Sequence, residues 1–148
     1  MAIRKYILFL LIFHSFFIHG QNPVNWKVNY DASKEIINFS AEIETDWHLY
    51  AVYVPFPNDG PLPTVFSFEE NDNYNLIDSI KQSKPKITYD KNFGVELAYY
   101  ENNATFYQKI NLLNTNFTIS GNINYMTCNE NMCIPYDYPF EINLNPQD

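Results

Sequence analysis

In this chain of 148 residues, one pair of side chains combines type and spacing into a definite chemistry: the only two cysteines, Cys128 and Cys133. They stand in Thr127-Cys128-Asn129-Glu130-Asn131-Met132-Cys133-Ile134-Pro135, between two stretches in which polar and apolar residues alternate. If those stretches are the strands of a hairpin, the cysteines face each other across its neck. Opposed Cα atoms there lie about 4.5–5.5 Å apart, within reach of a disulfide. Two roles stay open for such a bond. It can be a permanent staple, or it can open and close and carry two electrons. Loop size speaks against the staple, because a ring of about six residues is worth roughly 2 kcal/mol where one of about a hundred is worth almost 5. The hairpin, moreover, already closes this ring. A zinc site needs four ligands, and two thiolates with a distant His48 fall short of that number.

The charges around the pair set the kind of thiol it would be. From Ile110 to Asp148 there is no Lys, Arg or His, whereas Glu130, Asp137, Glu141 and Asp148 are acidic. Nearby negative charge and apolar burial both disfavour a thiolate. The reduced pair is therefore expected to be sluggish alone, at or above the ordinary cysteine pKa of about 8.5, and to react once a partner has docked. No other constellation competes. The three histidines are His14, His19 and His48, and the first two belong to a segment expected to be removed, so neither a Ser-His-Asp triad nor a histidine-rich metal site can be built.

That segment is residues 1–20. Arg4 and Lys5 precede an apolar run from Tyr6 to Ile18, broken only by His14 and Ser15. The run is shorter than the roughly 20 residues that cross a bilayer and has the pattern of a signal peptide. Cleavage near Gly20 would leave Gln21 at the new terminus, with no cysteine there to carry a lipid. Residues 21–148 then hold 7 Lys and Arg against 17 Asp and Glu, a net charge of −10. So acidic a surface excludes nucleic acid as a partner. With 46% hydrophobic and 18% aromatic residues, this remainder can bury one core and is expected to be one domain.

The elements that must position the cysteines read as strands. Trp26, Val28 and Tyr30 alternate with polar neighbours, as do Ile37, Phe39, Ala41 and Ile43. Trp47–Val54 is apolar on both faces, which predicts a central strand. The prolines at 55, 57, 61 and 63 interrupt any ladder and predict a long connection that crosses between sheets. Strands follow at Thr64–Phe68, Ile87–Tyr89, Val95–Tyr100 and Ala104–Leu113. Leu76–Ile80 fits a short strand or one helical turn, after a turn over Asn71–Asn75. Phe117–Cys128 and the run marked by Tyr138, Phe140, Ile142 and Leu144 flank the cysteine loop. Short strands at regular spacing predict an antiparallel β-sandwich. Sequons at Asn38, Asn103 and Asn116 arise readily in an asparagine-rich chain and are given no role.

Tyr125-Met126-Thr127-Cys128, the short acidic loop and Cys133-Ile134-Pro135, with Trp47-His48-Leu49-Tyr50 and Gly60-Pro61-Leu62-Pro63-Thr64, resemble the N-terminal periplasmic domain of the thiol:disulfide interchange protein DsbD over nearly all of residues 22–145. The resemblance implies an immunoglobulin-like sandwich whose cysteine pair relays electrons from a membrane-embedded reductase to periplasmic thioredoxin-like proteins, with no cofactor and no metal. It implies that Cys133 forms the mixed disulfide and Cys128 resolves it. It also implies a cap loop, matched by Asp90-Lys91-Asn92-Phe93-Gly94, with Phe93 as the aromatic lid; the competing reading of Phe93 is a core residue at a strand start. Tyr50 either flanks the sulfurs or fills the sandwich core. Because DsbD continues into further domains and this chain stops at Asp148, the electron donor is expected to be a separate membrane protein. The rival reading is a non-catalytic exported sandwich that binds a partner and keeps its disulfide closed. A small-molecule enzyme ranks third, since no acid–base constellation appears.

Overall fold

The computed structural model describes residues 22–54, 60–91 and 93–144. The expected signal peptide lies outside them. Ten strands and no helix are found among the described residues: β1 (Val24–Asp31), β2 (Ile36–Ile43), β3 (His48–Tyr50), β4 (Val65–Phe68), β5 (Tyr74–Gln82), β6 (Lys86–Asp90), β7 (Val95–Tyr100), β8 (Asn103–Leu112), β9 (Thr118–Cys128) and β10 (Cys133–Asn143). All neighbours pair antiparallel, in one sheet of order β1-β2-β8-β5 and a second of order β10-β9-β3-β7-β6, with β4 also on β9.

The alternation read from the sequence is the alternation of burial. Ile37, Phe39 and Ala41 of β2 are buried, and so are Ile119, Ile123 and Tyr125 of β9. These inward faces meet in one core, where aromatic rings from both sheets pack on one another. Trp26 packs against Phe106 within its own sheet and against Phe66 and Tyr125 of the other. Phe39 meets Phe66 and Phe140 in the same way. Trp26 lies in this core, and Trp47 packs at its margin.

Three expectations need correction. The apolar run Trp47–Val54 forms only the three-residue β3, although its central place, between β9 and β7, is as expected. Leu76–Ile80 is strand, inside the longer β5, which begins at Tyr74 and so takes the end of the expected turn. The proline-rich connection does not cross between sheets. β3 pairs with β9 at Cys128 and Thr127, and β4 resumes on the same edge of β9 from Asn124 to Gly121. Proline removes ladder donors, but it does not decide which neighbour the chain rejoins. Here Thr64 decides it: its buried hydroxyl donates to the Tyr50 carbonyl (2.5 Å) and its N–H to the Ala51 carbonyl (3.2 Å). The excursion is thus clamped at its neck, and β3 with Tyr50 is held against the end of β9 that carries Cys128.

Candidate functional site

β9 and β10 pair without a break from Thr118↔Asn143 to Cys128↔Cys133. This continuous register is what brings the two cysteines face to face. Their Cα atoms are 4.1 Å apart, slightly closer than the expected spacing, and the sulfurs are bonded. The intervening loop is built by Asn129. Its N–H donates to the Met132 carbonyl (2.9 Å), and its side-chain oxygen accepts the N–H groups of Asn131 and Met132 (2.9 and 3.0 Å). Such Asx closure is a local property of asparagine. It turns Met132 outward, 52% exposed.

The two sulfur-bearing residues are not equivalent. Cys128 is buried, 2% exposed, in a small cluster with Tyr50 and Leu97, whereas Cys133 is exposed. An open cleft of about 810 Å³ lies over the pair, with Tyr50, Phe93, Met132 and both cysteines on its walls. The structure thus brings together all four residues singled out from the sequence. For Tyr50 the two readings merge, because it is 2% exposed and yet packs against Cys128. For Phe93 the core reading is excluded, because it is 41% exposed. Its loop is a tight turn in which Asp90 Oδ1 accepts the Phe93 N–H (3.1 Å), the Asp90 carbonyl accepts the Gly94 N–H (2.8 Å), and Gly94 takes φ 72°. That positive φ suits glycine, and it returns the chain into β7 with Phe93 left at the cleft.

Several lining residues were not singled out for a role at the site. His48 is opposite Cys128 in the β3–β9 register and packs on the rings of Tyr50 and Tyr99 at 5.6 and 4.9 Å. Burial lowers its pKa, more than the Glu101 and Asp90 carboxylates raise it, so imidazole rather than imidazolium faces the cleft at neutral pH. Its place beside Leu49 and Tyr50 was the available signal. Glu44, Asp46, Asp90, Glu101 and Glu130 also line the cleft, and no Lys or Arg among the described residues does. They come from three different loops and the end of β6. The sequence marks the stretch from Ile110 to Asp148 as acidic but cannot show that Glu44 and Asp46 join it.

Burial pushes the Tyr50 phenol up to about 12, with Asp90 and then Tyr99 adding to the shift. A folded-state pKa above the unfolded value of about 10 means that the folded state holds the proton more tightly. The associated stability is complete below pH 10 and is lost as pH rises toward 12, on the order of 2 kcal/mol in all. Denaturant midpoints measured between pH 9 and 12 should therefore fall more steeply in the wild type than in Tyr50→Phe. Equal slopes would remove Tyr50 from the alkaline transition.

The family "Thiol:disulfide interchange protein DsbD, N-terminal" matches residues 19–145. Among curated proteins no match is found. The N-terminal domain of Neisseria meningitidis DsbD in its reduced form superimposes with a TM-score of 0.62 at 16% identity, covering 84% of this chain and 87% of that one. A chain from the Neisseria meningitidis complex between the DsbD and PilB N-terminal domains gives 0.57 at 16% identity, with 84% and 89% covered. At such identity these likenesses speak for the fold, the immunoglobulin-like sandwich. A strand hairpin closed by a cysteine pair, a clamped β3 behind it and a family match over most of the sequence lead to one conclusion: this chain belongs to the DsbD N-terminal domain family.

Proposed function

We infer that this domain is an exported thiol-disulfide relay, working in the periplasm after loss of residues 1–20. The observation that carries the reading is the asymmetry of the pair: Cys133 exposed at an open cleft and Cys128 buried behind it. Thiol-disulfide exchange needs collinear access to the sulfur attacked and a second sulfur within reach to resolve the intermediate. Reduced Cys133, as thiolate, attacks a disulfide of a thioredoxin-like partner and displaces one partner thiolate. Cys128 then attacks the Cys133 sulfur, closes the Cys128–Cys133 bond and frees the second partner thiolate. Two electrons pass to the partner. Reduction of the domain reverses the order, with Cys133 attacked and Cys128 leaving, and the donor is a membrane reductase. The complex of the Neisseria DsbD and PilB N-terminal domains supports a thioredoxin-like fold as the acceptor. No cofactor, metal or nucleic acid enters this scheme.

Phe93 and Tyr50 serve as shields in this reading. Tyr50 closes the inner side of Cys128, and Phe93 stands at the cleft as a lid that a docking face displaces. The carboxylates around the cleft disfavour a thiolate until that docking occurs. Phe93→Ala should then speed alkylation of the reduced pair by iodoacetamide several-fold, on the order of tenfold, with little effect on thermal stability because Phe93 lies outside the core. An unchanged rate would take the lid out of the mechanism. The relay itself is tested by equilibrating the protein with dithiol buffers. A relay titrates reversibly at a potential comparable with those of its partners, above about −300 mV, whereas a structural bond resists reduction there. A potential below that value would favour the non-catalytic binding module.

A further inference from the structure

Among the described residues five strands present an unpaired edge; β4 is only four residues long, and three of the others carry devices that discourage pairing. β10 holds Pro135 and Pro139 with Asp137 and Glu141. β5 is broken by a register shift between Ile77 and Lys81, with Asp78 at φ 58°. β1 offers Lys27, its Nζ 2.6 Å from Glu42, with exposed Asn25 and Asn29 beside it. Such prolines, bulges and charges are the usual guards of sheet edges. β6 has none in its middle. It pairs with β7 on one side only, and Ile87 and Tyr89, on one face, are 58% and 60% exposed.

The residues of β6 indicate what covers it. Lys86-Ile87-Thr88-Tyr89-Asp90 reads as its own complement when a second copy runs antiparallel with the two-fold axis at Thr88. Lys86 then stands opposite Asp90 of the second copy, Ile87 opposite Tyr89, and Thr88 opposite itself. Each of these is a favourable cross-strand pair: opposite charges, aromatic on β-branched, threonine on threonine. A shift by one residue would set Ile87 against Asp90 and lose the charge match. We propose that β6 is a self-association edge, through which two copies of this chain join their larger sheets into one continuous sheet about a two-fold axis. An isologous contact of this kind closes on itself and stops at the dimer. A five-residue edge buries less than the roughly 1,200 Å² of a stable interface, so the dimer is a weak one that fills with concentration.

Sedimentation velocity over a concentration series tests this. The wild-type protein should shift from monomer to dimer as concentration rises into the hundreds of micromolar. Thr88→Lys sets two like charges together on the axis and should raise the dissociation constant about fivefold or more, whereas Thr88→Val should leave it unchanged. Ile87→Lys, at another exposed position, should weaken the dimer as well. Thermal melts of the dilute variants should match the wild type, which separates lost association from lost folding. A protein that stays monomeric throughout the series overturns the proposal, as does a dimer indifferent to Thr88→Lys and Ile87→Lys. So does an edge whose variants leave the monomer unchanged but slow exchange with a thioredoxin-like domain, since that assigns β6 to another partner. The relay reading stands or falls separately, because the dithiol potential is measured on the monomer.

Discussion

Cys128→Ser and Cys133→Ser should behave as opposites. Take a thioredoxin-like domain reduced to a single cysteine and activated as its mixed disulfide with thionitrobenzoate. The Cys128→Ser protein should displace the coloured thiolate and remain joined to the domain, because Cys133 is exposed at the cleft and no second thiol remains to resolve the bond. Wild type should displace the same colour but end as free, reduced domain and closed Cys128–Cys133. Cys133→Ser should react on the order of a hundredfold more slowly, because Cys128 is 2% exposed behind Tyr50 and Leu97 and a buried thiol is inert. The three outcomes are read from absorbance and from a non-reducing gel. Equal rates for the two variants would show that burial does not choose the attacking sulfur. If neither variant joined the domain, the relay would give way to the staple.

The cysteine hairpin was legible because its geometry is local. Period-two alternation fixes which residues of Phe117–Cys128 face inward, and a loop rich in asparagine fixes the turn, so the pairing of Cys128 with Cys133 follows from register alone. What the sequence hides is everything that depends on which distant segment comes back. The proline run sets only an outer limit for β3, which stops earlier, at Tyr50, and only Thr64, through its hydroxyl on the Tyr50 carbonyl, shows that the chain rejoins the same edge of β9. Phe93 could be lid or core until the turn made by Asp90 and Gly94 placed it at the cleft. The acidic cleft is the clearest case, since Glu44, Asp46 and Glu101 lie far from the cysteines in sequence and meet them only through the loops around β3 and after β7. His48 was visible as a residue but not as a neighbour of Cys128, because that contact depends on strand order within the sheet.

One gap in the alternation has a large expected consequence. Positions 119, 123 and 125 of β9 are buried Ile, Ile and Tyr, yet 121, on the same face, is glycine. The register sets Gly121 opposite Phe140 of β10 on one side and Phe68 of β4 on the other. A Cβ on Gly121 would collide with the backbone oxygen of Ser67 and with the Phe140 ring. The ring fills the space that an inward side chain would occupy, an aromatic covering a strand glycine. The backbone of β4 cannot retreat without giving up its ladder to β9. Gly121→Ala should therefore cost about 3 kcal/mol, at the upper end of overpacking, and lower the melting temperature by about 10 °C. Adding Phe140→Leu should recover part of the loss, because the slimmer side chain yields on one side, while the clash with Ser67 remains. The recovery should appear as a double-mutant coupling of about 1 kcal/mol. A Gly121→Ala protein within 0.5 kcal/mol of wild type would refute this packing. Gly121 lies seven residues from Cys128 along β9, so the dithiol potential of the still-folded variant should stay at the wild-type value. Such a result would separate what holds the hairpin in the sandwich from what its tip does.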